Sequence, residues 1–99
     1  MKHLVAYADE IRPGECKVVS VDGRFVALFN IDGAFYATSN ACPHKGGPLG
    51  DGQLFGNLVK CPWHEWKFNV ATGECVGAPE VKLERYQVDV KNEQVWLSA

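Results

Sequence analysis

The chain has 99 residues, 46% of them hydrophobic and 22% charged, with a formal charge of −2 at pH 7. That length makes one domain, able to bury roughly 60–65% of the surface its unfolded chain exposes. The acidic balance and the lack of a basic run argue against nucleic acid or an anionic membrane as partner. No apolar stretch is long enough for a signal peptide or a membrane span, so a cytoplasmic location is expected.

Ten glycines and five prolines punctuate the chain at short intervals, the rhythm of short strands in an all-β fold. Residues 4–7 read as a first strand, and 9–14 as a turn or a single helical turn. Residues 17–21 and 24–29 flank Asp22-Gly23, a dipeptide suited to a two-residue hairpin turn. The second of these runs is apolar on both faces, as a central strand would be. A turn at 31–33 leads into a strand at 34–38, and this meander ends just before Cys42. Residues 58–60 and 66–69 flank Cys61 to His64, making that segment a hairpin tip. A turn at 72–74 and a loop at 76–79 follow. Residues 86–90 alternate, with Tyr86, Val88 and Val90 predicted inward; a turn at 91–93 then gives a last strand at 94–97. No helical periodicity is present.

Chemistry concentrates between residues 42 and 64. The chain reads Cys42-Pro43-His44-Lys45-Gly46-Gly47-Pro48-Leu49-Gly50, then a spacer, then Cys61-Pro62-Trp63-His64, with sixteen residues between His44 and Cys61. Two segments that each supply one thiolate and one imidazole imply a metal site. Rieske-type iron–sulfur centres put two cysteines on one iron and two histidines on the other. Zinc also takes Cys and His in fours. Its usual spacing groups two cysteines and then two histidines, which the alternating pairs fit less well. A zinc-binding interaction module therefore stays as the competing reading, separable by colour. Four cysteines could instead form two disulfides, but that leaves His44 and His64 unexplained. Cys16 and Cys75 read as buried or spare thiols, and His3 as a solvated terminal residue. The aromatics Phe25, Phe29, Phe35, Tyr36, Trp66, Phe68, Tyr86 and Trp96 read as core or sheet-face residues. Trp63 lies between two candidate ligands and suits either packing or partner contact.

Cys-x-His followed by Cys-x-x-His resembles the Rieske 2Fe-2S signature. The surrounding residues, 42–49 and 61–68, are similar to those of small soluble Rieske ferredoxins and of the Rieske-like small subunit of assimilatory nitrite reductases. The resemblance covers nearly the whole chain. It implies a Rieske-type fold: an antiparallel β base domain, residues 1–40 and 68–99, with a small cluster-binding subdomain, residues 41–67, inserted. It implies one 2Fe-2S cluster, with Cys42 and Cys61 on the inner iron and His44 and His64 on the outer one. Lys45, Leu49, Trp63 and Glu65 are then expected around the exposed histidines, and 76–79 matches a proline-containing loop that shields the cluster.

The implied function is one-electron transfer from a reductase to a terminal oxygenase or similar oxidoreductase, with no substrate and no catalysis of its own. The expected partners are redox proteins: a flavin reductase and a terminal oxygenase or reductase large subunit. A nitrite reductase small subunit is the runner-up. High-potential relatives carry a disulfide at places matching Gly47 and Trp63, and sulfur-bonding hydroxyls at places matching Trp66 and Phe68. This chain has none of the four.

Overall fold

The computed structural model describes residues 2–41, 48–62 and 66–98. Eleven strands are present among them: β1 Lys2–Tyr7, β2 Cys16–Val21, β3 Arg24–Ile31, β4 Ala34–Ser39, β5 Gln53–Phe55, β6 Leu58–Lys60, β7 Lys67–Asn69, β8 Glu74–Cys75, β9 Ala78–Lys82, β10 Arg85–Lys91 and β11 Gln94–Ser98. Among the described residues the helical content is two single 3-10 turns, Ala8–Glu10 and Leu49–Asp51, and no helix there is long and apolar enough to cross a membrane.

The strands form two antiparallel sheets, one of six strands in the order β1-β11-β10-β4-β3-β2 and one of five in the order β5-β6-β7-β8-β9. Local turn chemistry sets much of this. Asp22 and Gly23 both take positive φ (50° and 79°) between β2 and β3, and Asp32 and Gly33 do so (51° and 93°) between β3 and β4. Two successive left-handed residues make the turn whose twist matches the strands it joins. Asn92 and Glu93 build the same kind of turn (49° and 63°) between β10 and β11 without a glycine.

β3 is the wall between two cores. Ala27 and Phe29 face a cluster with Leu49, Val59, Cys61, Phe68, Val70, Cys75 and Leu83. Val26 and Leu28, one residue out of phase, face a second cluster with Ala6, Ile11, Val21, Ala37, Val95 and Leu97. Side chains alternate across a strand, so a strand with a core on each side is apolar at successive positions, here Val26 to Phe29. That accounts for the double-faced pattern read from the sequence, although β3 is next to the sheet edge rather than at its centre.

Several details depart from the sequence reading. Val90, expected inward, is 46% exposed: β10 pairs with β4 only at Arg85 and Tyr86, so Val90 lies where β10 has run past its neighbour. Tyr86 and Val88 do pack against the second core. Phe25, on β3, is 65% exposed. His3 is half-buried within β1 opposite Leu97, its Nε2 3.5 Å from a carboxylate oxygen of Asp22. The turn read at 72–74 and the loop read at 76–79 run into two strands, β8 and β9.

Candidate metal centre

The first donor segment leaves the six-stranded sheet at the end of β4. Ala41 and Pro48 pair there as an isolated antiparallel bridge. Directly after the bridge, Leu49–Asp51 makes a 3-10 turn closed by the Asp51 N–H on the Pro48 carbonyl (3.1 Å) and the Gly52 N–H on the Leu49 carbonyl (2.9 Å). Leu49 was expected beside the histidines. It is fully buried in the first core, and the histidines themselves lie outside the described residues. Its side chain anchors the returning chain by the burial of a whole leucine, about 1.5–3 kcal/mol.

The second donor segment is borne by the β6–β7 pair, in which Lys60 faces Lys67 and Val59 faces Phe68. The Cys61 N–H donates to the Trp66 carbonyl at 2.7 Å, closing the ladder one step beyond the strands. Cys61 is fully buried and shares the first core with Leu49, Val59 and Phe68. The end of one donor segment and the start of the other therefore meet in one apolar cluster. Cys42, His44 and His64, with Lys45, Trp63 and Glu65, lie outside the described residues.

A third wall stands beside this hairpin. The Val76 N–H donates to the Lys67 carbonyl (2.9 Å), and Val76, Gly77 and Ala78 line one groove with Trp66, Lys67 and Cys75. The segment read as a shielding loop thus sits against the residue that closes the Cys61 turn. The Trp66 and Phe68 rings lie 6.5 Å apart and tilted by 36°.

Of the other described cysteines, one is buried in the first core with Cys61 and one is not. Cys75 is buried in the first core opposite Phe68. Cys16 is half-buried at the start of β2, and burial, then the negative charges of Asp51 and Glu15, push its thiol up to about 11 from 9.0. A thiol so raised stays protonated at neutral pH and is a poor metal ligand or nucleophile.

The sequence profile of the Rieske [2Fe-2S] domain matches residues 1–87. The chain belongs to that family. Relatives agree with the match. The ferredoxin component of the naphthalene 1,2-dioxygenase/salicylate 5-hydroxylase systems of a Ralstonia species is 37% identical over 93 residues, 93% of this chain and 89% of that protein. The biphenyl dioxygenase ferredoxin subunit of a Pseudomonas species is 39% identical over 89 residues, covering 88% and 82%. Among solved structures, a chain of the complex of reduced oxygenase and oxidized ferredoxin in carbazole 1,9a-dioxygenase superposes with a TM-score of 0.91 at 31% identity, covering 98% of this chain and 92% of that one. A Mycobacterium tuberculosis protein assigned as an NADH-dependent nitrite reductase small subunit superposes with a TM-score of 0.92 at 25% identity, covering 100% and 95%.

This Rieske domain is an electron-transfer protein rather than a catalyst, and its prosthetic group is one 2Fe-2S cluster. What the described residues contribute fits such a group. Cys61, whose backbone N–H closes the end of a strand pair, is buried in a core that also fixes the base of the other donor segment. The amide partners that sequence reading missed are Asn30 and Asn40. Asn30 interrupts an apolar strand and Asn40 immediately precedes the first donor segment, which is the only signal the sequence carries for either.

Proposed function

We propose that this Rieske domain passes single electrons from a flavin reductase to a terminal oxygenase, and that Cys42, His44, Cys61 and His64 hold its cluster. The observation that carries the reading is end-to-end similarity to ferredoxin components of dioxygenase systems, over 93% of this chain in the Ralstonia case. The ligand set rests on the two matched Cys/His pairs and on the burial of Cys61 where the two segments converge.

When bound, the cluster supplies a one-electron acceptor whose oxidised form is formally neutral with two thiolates and two neutral imidazoles. Four thiolates would leave it at −2, so the histidine pair raises its potential. The chain's own part is to hold and to shield. Leu49, Val59 and Phe68 keep water from the inner thiolate side. His44 and His64 would each commit one ring nitrogen to the outer iron and keep a proton on the other. Net charge −2 and the partner chemistry favour protein partners over nucleic acid or membrane. The thiols of Cys16 and Cys75 suit the reducing cytoplasm.

Reconstitution tests the proposal: purified domain added to a flavin reductase and a Rieske oxygenase should restore substrate turnover in proportion to its concentration. A second reading, a nitrite reductase small subunit, is favoured by the Mycobacterium tuberculosis likeness. A domain that elutes as a free monomer and shuttles electrons supports the first reading. One that stays bound to a reductase large subunit and supports no oxygenase turnover supports the second.

A further inference from the structure

Asn40 engages three of its groups at once. Its N–H donates to the Phe25 carbonyl on β3 (3.1 Å), its carbonyl accepts the Leu49 N–H (2.8 Å), and its side-chain Oδ1 accepts the Gly50 N–H (2.8 Å). The Ala41–Pro48 bridge lies immediately inside these bonds. One residue therefore ties the strand that delivers segment 42–47 to the turn that receives it.

The tie continues toward the other donor segment. Gly50 lies so close to Val18 that a Cβ there would collide with its side chain, and a Cβ on Gly52 would collide with the Lys60 carbonyl. Lys60 directly precedes Cys61. A continuous line of close contacts and covalent bonds runs from Asn40 through Gly50 and Gly52 to Lys60 and Cys61.

We propose that Asn40 is a positioning residue of the electron-transfer site. Its amide oxygen fixes the Leu49–Asp51 turn and, through it, the spacing between the Ala41–Pro48 bridge, which flanks the first donor pair, and Cys61, which opens the second. The proposal rests on the ligand assignment made above. Its physical basis is pre-organisation: ligands from two segments must meet one group, and each segment left loose adds an ordering cost to binding.

The test uses the cluster-loaded protein with Asn40→Ala, which removes the acceptor, and Asn40→Asp, which keeps an oxygen in its place. Three quantities are read: the rate at which an iron chelator bleaches the visible spectrum, deuterium uptake by peptides covering residues 48–52, and the EPR linewidth of the reduced protein. Asn40→Ala should bleach about tenfold faster, the loss of one side-chain hydrogen bond. It should also take up deuterium faster at 48–52 and broaden the EPR lines, while Asn40→Asp stays near wild type on all three. Wild-type behaviour in Asn40→Ala, or equal damage in Asn40→Asp, overturns the proposal. Loss of the β far-UV signal in Asn40→Ala also overturns it, because Asn40 would then serve the fold at large. Failure of the ligand assignment shows elsewhere, as a visible spectrum retained by Cys42→Ser, in which Asn40 is intact.

Discussion

The amide of Cys61 is bonded to the carbonyl of Trp66 at 2.7 Å, so the chain leaves and re-enters the β6–β7 ladder at one point. That bond fixes the backbone of Cys61 without any metal, while the thiol itself is buried among Leu49, Val59 and Phe68. Cys61→Ser should therefore separate the two functions of the position. The visible chromophore should be lost, because a serine hydroxyl is a poor substitute for a thiolate on iron. The β far-UV spectrum should persist, because the surrounding core contains its own apolar contacts. Absorbance and circular dichroism on the same sample decide it, and an unchanged visible spectrum would contradict the role given to Cys61.

The reduction potential should lie in the lower part of the family's range of about −150 to +300 mV. By the resemblance to the Rieske signature, Trp66 and Phe68 match places where high-potential relatives carry hydroxyls, and neither side chain has a hydroxyl to donate. A donor stabilises the reduced, more negative cluster more than the oxidised one. Only that difference counts, so Phe68→Tyr should raise the midpoint by roughly tens of millivolts. Protein-film voltammetry of wild type and variant measures it; a wild-type midpoint near the top of the range would show that something other than these hydroxyls sets the poise.

Asn30 is a buried amide near the end of an apolar strand, 4% exposed. Its Nδ2 donates to the Ile11 carbonyl (2.7 Å) and its Oδ1 accepts the Gly33 N–H (2.8 Å). Its backbone also pairs with Gly14 and Glu15, so it pins the loop before β2 to the end of β3. Asn30→Ala leaves the Ile11 carbonyl without that donor in a buried setting and should cost about 1–3 kcal/mol. Urea unfolding should show the loss, with the visible spectrum of the folded protein unchanged. A destabilisation within experimental error would mean that water replaces the amide.

Cys16 gives the domain an alkaline liability. Its thiol titrates at about 11 in the folded chain against 9.0 for an ordinary one, chiefly because burial disfavours the thiolate. Between those values the unfolded chain releases a proton that the folded chain keeps, so stability falls as pH rises from about 9 to about 11. Cys16→Ala should flatten that part of the stability profile. It should also leave alkylation by iodoacetamide at pH 8 almost unchanged, because the native thiol is protonated there.

Turn chemistry and ligand spacing were legible without a fold because both are local. Asp22-Gly23 announces two left-handed residues in sequence, and the structure has them at 50° and 79°. Cys-x-His and Cys-x-x-His announce paired ligands whatever surrounds them, and the family match bears out the iron–sulfur reading drawn from them. Strand alternation was equally local, and it placed β3 correctly as apolar on both faces. What alternation cannot say is where a strand outruns its neighbour. Val90 has the right period and the wrong burial, because the end of β4 is decided by a different part of the chain. β8 has two residues, too few to carry any period, and β9 is an edge strand whose Pro79 argues against a strand assignment. The burial of Leu49 was not legible in the sequence; only the packing of the 3-10 turn against β3 puts it in the core. Asn30 and Asn40 illustrate the limit most clearly. An amide announces hydrogen bonds but not partners, and theirs lie 19 and 10 residues away. Those partners exist only once two sheets have folded against β3, so tertiary packing alone turned one asparagine into a loop anchor and the other into the clasp of the first donor segment.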